Sequence, residues 1–105
     1  MTHRVTLSAN EFRRRCEMHP IFRPILDMAG VWFECSDHVT FHDPLATVCI
    51  FEDDVCKFAK GNVSVDVDSR MLKGYTHFQQ DENGRCEVAV DVNPKRFFDA
   101  FYSVF

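Results

Sequence analysis

The sequence predicts an α+β fold, on three observations. Helix-start signals and apolar residues at helical spacing fill the first half of the chain. The apolar period then drops to two across Val63, Val65 and Val67 and again across Cys86, Val88, Val90 and Val92. Asn93-Pro94 finally opens an aromatic-rich segment with a cap-plus-proline start. Helices first, strands next and one helix last describe segregated elements, not alternating βαβ units. A length of 105 residues suggests a single domain over 1–105.

Taken in order, Met1 to Leu7 is β-prone and reads as the tail of a strand whose beginning is missing. Ser8-Ala9-Asn10-Glu11 is a capping box, with the serine capping forward and the glutamate reaching back. A helix should follow from Ala9 to Met18 and end at His19-Pro20, because proline disfavours a helical residue before it. A second helix is expected from Phe22 to Phe33, with Pro24 in its first turn and Ile25, Leu26, Ala29, Trp32 and Phe33 on one apolar face. Cys35 to Phe41 is a connector or short extended segment.

Asp43-Pro44 starts a third helix, with the carboxylate as cap. Leu45, Val48, Cys49 and Phe51 make it apolar on most sides, so burial is expected. Glu52-Asp53-Asp54 closes it with solvated acids. A half-buried strand through Val63, Val65 and Val67 follows, then a turn at Asp68-Ser69-Arg70 and a strand from Met71 to Gln79. Asp81-Glu82-Asn83-Gly84 holds Asn-Gly, a hairpin signal leading into the third strand. The last helix carries Phe97, Phe98, Phe101, Tyr102 and Phe105 and is expected to lie on the sheet.

Bulk properties exclude several function classes. A net charge of −4 and a pI near 5.6 disfavour non-specific binding to nucleic acid or membranes. Arg13-Arg14-Arg15, the only basic run, reads as a solvated helix face. The five cysteines are odd in number, lack a C-x-x-C spacing and follow no apolar signal segment. They fit reduced thiols in a reducing cytosol, used as small core residues. Eleven phenylalanines require a core or a partner chain to cover them. No stretch has the length of a membrane span.

Chemistry concentrates in Phe41-His42-Asp43-Pro44-Leu45. A titratable ring and a carboxylate side by side at a helix mouth are typical of a site, and equally of a plain cap with a neighbouring histidine. Asp37, His38, His42 and Asp43 also admit a transition-metal reading, although Thr40 and Pro44 oppose the helix that the H-x-x-x-H spacing wants. His77 reads as a half-exposed strand residue, and His3 and His19 as terminal and turn residues. Trp32 and Phe33 suit core packing, or stacking on a planar ligand if they face His42. Cys35 and Cys49 are weak candidates for a thiol nucleophile. No Ser/His/Asp arrangement is visible.

Four segments, taken in order, give a resemblance. Thr2-His3-Arg4-Val5-Thr6-Leu7-Ser8, Phe41-His42-Asp43-Pro44-Leu45-Ala46, Gly74-Tyr75-Thr76, and Asp81 with Val88-Ala89-Val90-Asp91 resemble the C-terminal third of the inosine-uridine-preferring nucleoside hydrolases. H-D-P-L-A is the strongest piece, and the match spans nearly the whole chain. The resemblance implies hydrolysis of the N-glycosidic bond of purine and pyrimidine ribonucleosides, a salvage reaction. His42 would help protonate the leaving base, and Asp43 would be a ligand of the catalytic calcium. The family's N-terminal D-x-D-x-x-x-D-D cluster has no counterpart; Asp66-Val67-Asp68 and Glu52-Asp53-Asp54 are the nearest fragments. Calcium on Asp43 alone would lack most of its six to eight oxygens, so weak or no binding is expected. The chain then reads as a truncated or split member, inactive alone, that self-associates or pairs with an N-terminal partner chain. The Phe-rich last helix and the face of Leu45 and Val48 are the expected contact surfaces. A non-catalytic interaction module derived from that fold is the alternative, and an unrelated small domain with a chance motif is the third.

Overall fold

The computed structural model describes all 105 residues. It has four α-helices and two small antiparallel sheets, an α+β architecture. The order is β1 (Thr6–Ser8), α1 (Ala9–Cys16), α2 (Arg23–Trp32), β2 (His38–Thr40), α3 (His42–Val48), β3 (Cys56–Val65), β4 (Thr76–Gln80), β5 (Cys86–Val92) and α4 (Pro94–Ser103). The chain divides into two compact units, residues 1–55 with 92–105, and residues 56–91. No helix is long and apolar enough to cross a membrane.

The first unit is helical around a two-stranded ribbon. The β-prone start becomes a strand only over Thr6–Ser8, paired with β2 in the register Thr6↔Thr40 and Ser8↔His38. Thr2–Arg4 before it is a single 3-10 turn. Ser8 caps α1 by accepting from the Glu11 amide at 3.2 Å. The reverse half of the capping box is not made: Glu11 turns to Arg14 at 2.6 Å and Arg15 at 2.8 Å. These two guanidiniums hold its carboxyl below the ordinary value, Arg15 most strongly. The arginine run is solvated at Arg13 and Arg14, as expected, and half-buried at Arg15. Arg13 lies 4.8 Å over the Phe33 ring, and Arg15 lies 5.2 Å over Phe98 and 5.0 Å over Tyr102.

The core of this unit is aromatic. Phe12, Phe22, Phe41, Phe97 and Phe98 are buried, with Val5, Leu45 and Val55. The expected last helix forms as α4, capped by Asn93, which accepts from the Arg96 amide at 3.1 Å. Its rings pack on Phe22 and Phe41. Part of each face expected to await a partner lies in the core, Phe97 and Phe98 of α4 and Leu45 of α3, while Val48, Phe101 and Phe105 line an open apolar groove of about 330 Å³. Conversely, α3 is not buried on most sides. Leu45 is its one buried residue, and Phe51, beyond its end, is exposed. The acids after it are not simply solvated, since Arg96 binds Asp54 at 2.9 Å and also Glu52.

The largest departure is α2. Its Pro24 sits in the first turn as expected, but none of its residues is buried. Met28 is 68% and Trp32 54% exposed. The apolar face exists, and too few elements oppose it to close a core.

The second unit is the three-stranded sheet. β3 is hydrogen-bonded to both β4 and β5, which are not bonded to each other. It pairs antiparallel with β4 in the register Gly61↔Gln80 and Val65↔Thr76. Three sequence expectations are corrected here. The strand from Met71 to Gln79 begins only at Thr76, because side chains take up the earlier backbone. Asp66 Oδ1 accepts from the Asp68 and Ser69 amides, and Ser69 Oγ accepts from those of Met71 and Leu72. Gly74, at φ +88°, then reverses the chain. The Asn83-Gly84 pair does not make a tight hairpin between neighbouring strands. A type I′ turn needs positive φ at both positions, and neither residue has it. Gly84 is instead buried against the backbone of Gly61, where a Cβ would overlap. Nor is the strand half-buried through its alternating valines: Val63, Val65 and Val67 are all exposed, and Val67 lies beyond the end of β3.

Candidate functional site

Phe41 fixes the position of the His42-Asp43 step. Its amide donates to the Val5 carbonyl at 2.9 Å, and its buried ring meets Phe98 at 5.4 Å, Phe101 at 5.6 Å, Phe97 at 5.8 Å and Phe12 at 6.1 Å. As the N-cap residue of α3 it makes His42 and Asp43 the first two helical residues. The helix thus opens earlier than the Asp43-Pro44 signal suggested, and no side chain caps it. Proline's fit to a first turn explains the small offset, since Pro44 still lies within that turn. Asp43 remains in the first turn, where the helix dipole favours a carboxylate. Both His42 and Asp43 are exposed. Thr47 Oγ1 donates to the Asp43 carbonyl at 3.0 Å and braces that turn.

Phe41 and Pro44, on either side of the pair in the chain, line a groove of about 430 Å³. Its other walls include Phe12, Phe22, Met28 and Trp32. That volume lies in the range of small-ligand clefts. Trp32 is held at the rim by its indole N–H, which donates to the His38 carbonyl at 2.9 Å. Trp32 is therefore a groove wall, whereas Phe33 packs on Phe12 at 5.8 Å. The sequence signal for this groove was the apolar face of α2, read as core.

Tyr102 lines the groove too, and its hydroxyl is buried with no hydrogen-bond partner. Burial is the main cause that pushes its pKa up to about 12. Beside it Cys16 is buried, and burial pushes that thiol up as well.

The four-residue metal reading does not survive. Asp37 pairs with His38 Nδ1 at 2.7 Å, and that hydrogen bond holds the Asp37 carboxyl down. No group of three or more His, Cys, Asp or Glu side chains comes together. Asp43 offers one carboxylate where calcium takes six to eight oxygens, so the residues present do not fit the ion by themselves.

Of the other candidates, His19 caps the turn after α1, accepting from the Ile21 amide at 3.3 Å. Cys35 Sγ donates to the Trp32 carbonyl at 3.3 Å. With Asp37, His38, Arg13 and Ser8 it borders a shallow polar depression of about 780 Å³, which no sequence motif signalled. In the sheet unit His77 stands opposite Ser64 and is exposed. Asp81 folds its own loop, accepting from the Asn83 amide at 2.9 Å and from Asn62 Nδ2 at 3.0 Å. No family model, no curated protein and no solved structure matches the chain.

Proposed function

We propose that the chain carries the base-side part of a nucleoside N-ribohydrolase site, with His42 as the proton donor. The observation that carries this reading is the exposed His42-Asp43 pair, held by the buried Phe41 next to an aromatic groove. In the reaction the C–N bond of a ribonucleoside breaks and its electron pair stays on the base. A departing base anion is a poor leaving group, and a proton from an imidazolium removes that difficulty. Water adds to the ribosyl carbon and releases one proton to solvent, giving ribose and free base.

Asp43 would give one oxygen to a calcium held mainly by carboxylates outside this chain. The partner is then a polypeptide bearing an acidic cluster, and turnover by the chain alone should be absent. Thiols without disulfides suit a reducing, cytoplasmic setting. Backbone amide NMR with millimolar inosine or uridine and excess calcium tests the proposal. Shifts should centre on Phe41, His42 and Asp43 and vanish in His42→Ala. Unmoved signals at those residues would overturn it. A ribose-release assay run in parallel should read zero for the chain alone.

A second reading is favoured by α2, an amphipathic helix with none of its residues buried. Here the chain is a non-catalytic interaction module, a second copy or a partner chain covering that face. Light scattering after size exclusion distinguishes the two readings. Val31→Glu, on α2 but outside the groove, should convert an assembly to monomer in this one and leave the nucleoside shifts of the first untouched.

A further inference from the structure

We draw no further inference here: the strongest candidate, the apolar groove between α2, Phe41 and α4, is an unpartnered face, and nothing in the structure shows what covers it.

Discussion

At the residue scale, Phe41 and Tyr102 make opposite contributions. Phe41 joins four rings into one cluster, so Phe41→Ala should cost about 3–5 kcal/mol in a urea melt, by lost burial and the cavity left behind. Tyr102 hides a hydroxyl without a partner. An unsatisfied buried hydroxyl is unfavourable, so Tyr102→Phe should be neutral or stabilising by up to about 1 kcal/mol. For a domain of this size that is a rise in Tm of at most about 4–8 °C. A fall in Tm would mean the hydroxyl is in fact satisfied.

Tyr102 also has a pH signature. Its pKa is raised from 10.0 to about 12 in the folded chain. Between those values the unfolded tyrosine releases its proton while the folded one keeps it. Stability is whole below pH 10 and declines as pH climbs toward 12. Alkaline melts of Tyr102→Phe should lack this decline. Glu11 acts at the other end of the scale. Its carboxyl is lowered from 4.5 by Arg15 and Arg14, so its contribution is present above pH 4.5 and fades as pH falls further. Acid titration of Glu11→Gln should show a shallower loss than the parent chain.

At the element scale, local signals were legible and long-range closure was not. Ser8 and Asn93 are read correctly as caps, because a cap depends on residues three positions away. Asn93→Ala should therefore cost about 1 kcal/mol. Asn83-Gly84 misled because two glycines far apart in sequence meet in space. Gly84 is needed for close approach to Gly61, not for turn geometry. Gly84→Ala should lower the urea midpoint and disturb amide signals around Gly61, whereas an ordinary exposed turn would tolerate it. The face of α2 was visible as a period, but its exposure follows from what lies opposite, which no local pattern encodes. Likewise the His42-Asp43 motif was plain in the sequence, and the aromatic clamp on Phe41 that positions it was not.

At the scale of the whole molecule, the chain buries five phenylalanines in one unit's core and leaves much other apolar side chain uncovered. Among the exposed side chains are Ile50, Phe51, Met71 and Val104, besides those of α2. Such surface binds hydrophobic dyes and drives association. Sedimentation at rising concentration should accordingly show self-association that weakens in Met28→Glu, and a monomer at every concentration would remove the case for a covered face.

One further consequence belongs to Trp32. It is the only tryptophan in the chain, half-exposed on the groove wall and tethered to the His38 carbonyl. The protein therefore carries its own optical probe on the groove beside the His42-Asp43 pair. Emission from the empty groove should be red-shifted and quenched by iodide. Any occupant, whether nucleoside or neighbouring chain, would shift it to the blue and shield it from the quencher, so a single cuvette reports occupancy before the occupant is known.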